Sequence, residues 1–578
     1  MTQRSAMRPA GRLGAAGLLL LSLCSHAAEP VRPDAGTILD TVKEPPAQKR
    51  PSTGIEIPPA RPRMEAPAGI KVLVKGFRIS GNTLFTDAQI QPVLDEFVGN
   101  ELDFDGLDEA VRAVTSFYRS KGYFLAQAYL PRQQLSSGIV EIHVLEGHVG
   151  KVHSKQGPSA RLKPWIVEGY LRRIEQGAIA TEQGVERPLL LLGDLPATTV
   201  QSTLGPGANV GEADLTVEIG DDGRRVTGVV EAENYGNKYA GAIRLNAQVF
   251  ANNLLGLGDQ LSVRGLIAKD KLTDVAGLSY SMPVSYWGTK AGFSFAHMNY
   301  ELGGSLADQR ASGDADLASI LVVHPFIRTR GFNVFGQLTG ELKELEDRVA
   351  AVGSLEQRRI KSVRLGVFGD LRDLFLGGGL NTFAVSVTRG NLDLLNEELV
   401  ENDALSFQTA GRFDKINIDL QRVQRITDNL HALGRFSYQS ASKNLASVEK
   451  MSIGGPFGVR AYPVGEGLAD DAAIWSIEGR YTLPGFKPFK SDVTLAAFVD
   501  GAQVRRFKSP NPTFDVDPAT FEPNENDRTL WGAGVGIRVG RVGDFSVSAD
   551  FAWRIGSELP TSDVPRHPQF WMRAVTWF

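Results

Sequence analysis

Cysteine is almost absent: Cys24 is the only one in 578 residues, so no disulfide framework can form further along the chain. The eight histidines are scattered without ligand spacing, which argues against a metal centre. No stretch offers the run of about 18 uninterrupted apolar residues that a membrane-spanning helix needs. The chain also lacks a G-x-S-x-G elbow, a G-x-x-x-x-G-K-[ST] phosphate loop and an H-E-x-x-H helix. An enzyme is therefore not expected, and neither is a cofactor. A net charge of −4 gives no electrostatic footprint for nucleic acid.

From about Arg225 to Phe578, apolar and polar residues alternate in runs of roughly ten. Phe545, Val547, Ala549, Phe551 and Trp553 share one parity, while Ser546, Ser548, Asp550 and Arg554 take the other. Ile243, Leu245, Ala247 and Val249 alternate with Arg244, Asn246 and Gln248 in the same way. A period of two places successive side chains on opposite faces of a strand. One face of each strand thus wants hydrocarbon and the other wants water. A transmembrane antiparallel β-barrel supplies both, with lipid outside and a polar lumen inside. Glu231 and Glu233, which share a strand face, fit lumen lining better than acid–base catalysis. Gly377-Gly378-Gly379 fits a tight turn better than a phosphate cradle.

Sixteen runs qualify as strands, an even number as single-chain bacterial barrels have; they begin near residues 225, 241, 259, 274, 288, 314, 331, 357, 379, 404, 429, 473, 491, 530, 544 and 568. The longest interruption runs from Ser442 to Asp471, and another lies near Lys508–Arg528. Loops of that length carry function or are disordered.

Ahead of the barrel, Arg4, Arg8 and Arg12 precede the apolar stretch Leu13–Leu23, with Ser25 and Ala27 after it. This reads as a signal peptide over residues 1–27. A lipoprotein box ending at Cys24 is the alternative, disfavoured by the bulk of Leu23. Residues 28–70 read as a short helical segment and a Pro-rich linker. Asp34 is placed to cap a helix through Ile38 and Leu39, and seven prolines from Pro45 to Pro67 stiffen the linker behind it. A disordered tail is the competing reading of that segment. Residues 71–147 read as a β-α-α-β-β module, with Thr86 and Gln89 at capping-box spacing and Leu107, Val111, Val114 and Tyr118 on one helix face. Residues 148–222 repeat the plan, with helices near Pro164–Ile174 and Glu182–Leu192. The barrel occupies 223–578.

The long loop contains Gly454-Gly455-Pro456-Phe457-Gly458-Val459-Arg460-Ala461-Tyr462. With two modules and about sixteen strands, it resembles the transporters of two-partner secretion, the TpsB class. These belong to the superfamily of outer-membrane assembly factors with POTRA modules. Tyr118–Gly122, Tyr123, Leu130-Pro131 and Glu146-Gly147 look like a POTRA signature, and Glu186, Leu192 and Leu195-Pro196 echo it. The family tetrad is Val-Arg-Gly-Tyr/Phe; Val459, Arg460 and Tyr462 match, whereas Ala461 replaces the glycine and puts any need for positive φ there in doubt.

The resemblance implies that this loop folds into the barrel and that its arginine pairs with an acidic residue of the wall. The matching wall motif is Phe498-Val499-Asp500-Gly501. Parity places Val493, Leu495, Ala497 and Val499 toward lipid, and Asp492, Thr494, Phe498 and Asp500 toward the lumen. An exposed loop arginine and a merely polar wall aspartate are the plainer alternative. The resemblance further implies a plug helix around Asp34, Ile38 and Leu39. Its implied partner is a large secreted exoprotein, an adhesin, cytolysin or contact-dependent toxin, that arrives unfolded in the periplasm. A monomer embedded in outer-membrane lipid is the implied working unit. An outer-membrane protein insertase of the same superfamily is the rival, but it typically carries more modules. A passive porin ranks third.

Overall fold

The computed structural model describes residues 32–42, the backbone of 54–56, and residues 71–513, 515–516, 525–563 and 565–578. The expected signal peptide and most of the Pro-rich linker lie outside these residues.

Sixteen antiparallel strands close into a barrel, each paired with its chain neighbours and the last with the first. The first quarter comprises β1 (Val226–Glu233), β2 (Arg244–Asn252), β3 (Gln260–Ala268) and β4 (Thr273–Pro283). The second is β5 (Lys290–Glu301), β6 (Ala311–Arg328), β7 (Phe332–Val349) and β8 (Ser354–Asp373). The third quarter is β9 (Gly379–Leu394), β10 (Gly411–Arg425), β11 (Leu430–Ala441) and β12 (Asp471–Thr482). Then β13 (Asp492–Arg505), β14 (Asp527–Arg541), β15 (Phe545–Arg554) and β16 (Gln569–Trp577) return to β1, with Val229 opposite Trp577.

The alternation read from sequence becomes the two faces of the wall. On β13, Leu495 and Val499 are 44% and 43% exposed, whereas Phe498 and Asp500 are buried toward the lumen. Val493, expected in the outward set, is buried instead. It stands one residue into the strand, beside the turn of residues 483–491. β6 to β9 run 16 to 20 residues, beyond the roughly 9–11 that a tilted strand needs to cross hydrocarbon. Their outward residues change accordingly, from Leu338 and Leu365 to the paired Glu344 and Arg359.

Two further expectations fail locally. The strand expected from residue 404 begins only at Gly411, because Glu397–Leu405 forms a helix in the connection before it. In the first module the helix expected from the Thr86 and Gln89 capping spacing is only a short turn, Asp87–Ile90, followed by two 3-10 turns that end at Phe97. Pro92 sits in the interruption, where it cannot donate to a preceding carbonyl.

Each module pairs two parallel strands and adds a third antiparallel one. In the first, Gly76–Ser80 lies parallel to Ile139–Leu145, with Gln127–Tyr129 on the other side. A long helix, Phe104–Ser120, covers the sheet through Leu107, Val111, Val114 and Tyr118. In the second module, His148–Gln156 is parallel and Thr199–Pro206 antiparallel to Glu212–Gly220. Linker residues Gly54–Glu56 add a further parallel strand along Thr199–Pro206.

The second module is fastened to the barrel turns on its side. Asp194 accepts two hydrogen bonds from the Arg328 guanidinium, both 2.8 Å, and Glu186 pairs with Arg330. Arg187 donates to the Pro325 carbonyl at 2.6 Å.

Glu146 shows what the module signature does. Its buried carboxylate accepts hydrogen bonds from the Thr83 and Leu84 amides at 2.7 and 2.8 Å, from the Thr83 hydroxyl, and from Tyr118 at 3.1 Å. It thereby ties the turn after the first strand to the end of Ile139–Leu145 and to the long helix. Burial alone would raise its pKa, but the hydrogen bonds from Thr83, Leu84 and Tyr118 outweigh burial and hold it below the usual carboxylate range. A pKa lowered by folding stabilises the module above about pH 4.3, and the contribution is lost as pH falls through the folded value. Glu146→Ala is expected to cost about 2–3 kcal/mol. Thermal unfolding of the periplasmic modules should show this loss near pH 7 and a weaker acid dependence in the variant.

Candidate functional site: an inward-folded loop and its lumen wall

Residues 442–470 connect β11 to β12 at the end of the barrel away from the modules, and they fold back into the lumen. Gly454 makes a parallel bridge to Val459, and the Met451 amide and carbonyl pair with Ala469. Ile453, Val459, Ala461 and Tyr462 pack against Phe498, Ala502 and Leu530 of the wall. This apolar contact carries Arg460 to the middle of β13.

The guanidinium of Arg460 is almost completely enclosed. Its Nε and Nη2 donate to the two oxygens of Asp500, each at 2.9 Å, and its Nη1 donates to Glu478 at 2.7 Å. Nη2 also reaches Ser476 at 3.2 Å, and the Arg460 amide donates to Asp500 at 3.1 Å. The cation lies 3.2 Å from the centroid of the Phe498 ring. Trp571 on β16 donates its indole N–H to the Arg460 carbonyl at 2.7 Å. One loop residue thus joins β12, β13 and β16. Arg480 and Arg538 flank Glu478, and Arg538 also faces Asp550 on β15. Cations and carboxylates alternate, so the buried charges balance locally.

The neighbours of the tetrad explain its departure from the family. Ala461 is absent from the positive-φ positions, so a methyl group costs no backbone strain there. Its space comes from the wall: a Cβ on Gly532 would fall 2.5 Å from the Ala461 methyl. Gly501 likewise leaves room for the Trp475 ring, which an added Cβ would meet at 2.5 Å. Tyr462 is fully buried, and its hydroxyl donates to the Glu558 carbonyl at 3.1 Å.

Sequence reasoning missed several residues that hold the loop. Glu449 is 1% exposed and meets Lys343 and Lys415, both at 2.7 Å, while Glu466 takes Arg528 at 2.6 Å. Glu466 also accepts from the Thr561 and Ser562 amides of the β15–β16 connection at 2.8 and 2.9 Å. Glu478 had a legible signal: with Ser476 and Arg480 it shares the lumen parity of β12. The loop carboxylates carry no such parity, so nothing in the sequence distinguished them from solvated charges.

The third group of expected residues also lies in the lumen. Helix α1 (Ala35–Thr41) is capped by Asp34, which accepts from the Thr37 amide at 2.8 Å. Asp34 also meets Arg358 on β8 at 3.2 Å and accepts from Ser447 of the inward loop at 2.5 Å. The Ala35 amide donates to Asp347 at 2.8 Å, and Arg244 donates to the Thr41 hydroxyl and carbonyl at 2.8 and 3.0 Å. Ile38 is buried, and Leu39 packs beside it against the same apolar lining.

A closed sixteen-strand barrel behind N-terminal POTRA modules marks an outer-membrane protein with its modules in the periplasm. The model of the haemolysin secretion/activation protein family ShlB/FhaC/HecB matches residues 211–539, more than half of the chain, and the chain belongs to that family. The ShlB-type POTRA domain model matches residues 72–147. The heme/hemopexin transporter protein HuxB of Haemophilus influenzae (strain 86-028NP) is 26% identical over 490 residues, covering 85% of this chain and 84% of its own. The outer membrane transporter CdiB of Dickeya dadantii (strain 3937) is 25% identical over 452 residues, covering 76% and 75%. Among solved structures, CdiB from Escherichia coli superposes with a TM-score of 0.66 at 22% identity, over 90% of this chain and 93% of that one. This is a family of transporters of two-partner secretion, and not one of enzymes.

Removing either partner of the Arg460–Asp500 pair leaves an uncompensated buried charge, which costs about 3–5 kcal/mol where water is excluded. Arg460→Ala and Asp500→Ala are each expected to impair secretion while a heat-modifiable barrel remains in the membrane. Normal secretion by both variants would separate the pair from transport. Gly532→Ala should disturb the same loop by contact with Ala461, whereas Ala461→Gly should be tolerated; proteolysis of the loop in intact cells reads both.

Proposed function

We propose that the protein captures a large, unfolded exoprotein on its periplasmic modules and passes it through the barrel, with α1 and the inward loop occupying the lumen at rest. The observation that carries this reading is α1 lodged between wall and loop, Asp34 touching Arg358 and Ser447 at once. Its hold is polar at both ends and apolar along Ile38, so an incoming chain can replace it group by group. Arg460 and its carboxylates fix the loop against the wall, and their release would widen the passage. No nucleotide is at hand beyond the inner membrane, so folding of the cargo at the cell surface supplies direction. The working unit is a monomer in outer-membrane lipid. The cargo class follows the family: an adhesin, a cytolysin or a contact-dependent toxin.

The modules offer capture by strand addition, in which main-chain hydrogen bonds give sequence-tolerant affinity and alternate side-chain pockets give selectivity. The outer edge of Thr199–Pro206 is already taken by Gly54–Glu56. Cargo that adds there must displace that short linker strand, so the linker guards the edge against aggregation as well as competing for it.

Deleting residues 30–45 is expected to raise single-channel conductance in planar bilayers while secretion stays largely intact; equal conductance would show that α1 does not restrict the pore. A fragment spanning residues 70–222 should bind the denatured N-terminal region of the cognate exoprotein by calorimetry and bind an unrelated unfolded chain poorly. Proline in the edge strand Thr199–Pro206 should weaken that binding. In the full chain, removing residues 54–56 should strengthen it. Equal binding of both chains would place selectivity in the barrel instead.

A further inference from the structure

We infer that the second module carries a membrane-contact surface, centred on Trp165, that rests on the phospholipid headgroups of the periplasmic leaflet. Helix α2 (Pro164–Leu171) lies along the barrel rim beneath two neighbouring turns. At its start, the Lys163 amide donates to the Gly256 carbonyl of the β2–β3 turn at 2.9 Å. Toward its end, Tyr170 meets Tyr286 of the β4–β5 turn edge to face at 5.7 Å, and the Arg173 guanidinium lies 3.4 Å from the Trp287 ring centroid. Gly169 is the closest approach, since a Cβ there would sit 2.1 Å from the Tyr286 ring.

The helix uses Ile166, Val167, Tyr170 and Leu171 for the module core. Trp165 is not part of that set. It precedes Gly169 by four residues and therefore shares the rim-facing side of the helix, yet it is 52% exposed. An indole left open on the side toward the rim has two candidate neighbours, periplasmic water and the lipid surface.

The surroundings select lipid. Leu255 and Val284, on the two turns that α2 touches, are 54% and 55% exposed, and Trp287 is 50% exposed. Val284 still belongs to the ladder, its amide donating to Thr289 at 2.9 Å, and it continues the outward parity of Leu278 and Tyr280 on β4. The apolar band of the barrel wall thus continues onto the two turns that the helix of Trp165 touches. Trp at the hydrocarbon–water boundary is the usual anchor of such a band.

Charge agrees with this placement. Lys163 and the pair Arg172 and Arg173 are exposed at the two ends of the helix, and the ion pair between Arg172 and Glu168, at 3.4 Å, leaves Arg172 80% open. Their aliphatic stems can lie on the apolar surface while the cations reach phosphate groups. Contact with the leaflet would fix the tilt of the module beneath the barrel mouth, and it does not depend on how cargo is captured.

The test uses the full chain with Cys24→Ser, reconstituted in vesicles of phosphatidylethanolamine and phosphatidylglycerol. A nitroxide on Trp165→Cys is compared with one on Val210→Cys, which is 87% exposed at the far turn of the module. Accessibility to oxygen relative to a water-soluble nickel chelate should be several-fold higher at position 165. Glu168→Cys repeats the comparison with Trp165 in place, and heat-modifiability checks that each barrel is folded. Accessibility at both 165 and 168 as aqueous as at 210 would overturn the proposal.

Discussion

Backbone amides in hydrocarbon have no water to fall back on, so a sheet that crosses a membrane must close on itself. Everything else in this molecule depends on that closure. Sixteen strands pair around the ring, and the short contact of β1 with β16 completes it. A ring of that size leaves a lumen wider than its wall side chains fill. The interior is therefore polar, and the chain supplies its own filling.

The filling is held by buried charge as well as by hydrophobic contact. Arg460, Glu449 and Glu466 each enter the lumen on the inward loop and each meets opposite charge on the wall. Buried ion pairs add little net stability over apolar replacements, but they are specific about geometry. That balance fixes where the loop sits more than how strongly it is held. The apolar contacts of Val459, Ala461 and Tyr462 supply the depth of insertion, and Arg460 sets the register.

The periplasmic part is linked to this arrangement at two points. The second module grips the β6–β7 turn through Asp194, Glu186 and Arg187, and α1 reaches into the far half of the lumen. The linker between α1 and the first module also touches the second, through Gly54–Glu56. Helix α1, the module edge and the barrel therefore belong to one covalent thread.

Strand number and the two faces of each strand were readable from residue order because a two-residue period is a local property. The capping role of Asp34 and the turn at Gly377-Gly378 were readable for the same reason. Strand ends were less so: Glu397–Leu405 became a helix in a connection, and Val493 lost its expected exposure beside a turn. Partnerships between distant segments were not encoded in any period. Arg460 and Asp500 could be brought together only through a family likeness; Glu478 showed its lumen parity, but Glu449 and Glu466 were indistinguishable from solvated charges until the loop turned inward. Residue order determined that this chain makes an amphipathic sheet with two modules ahead of it, since alternation and capping act over a few residues. Which charges meet, what fills the lumen and where the second module rests were decided by closure of the ring, because burial and pairing depend on groups tens to hundreds of residues apart.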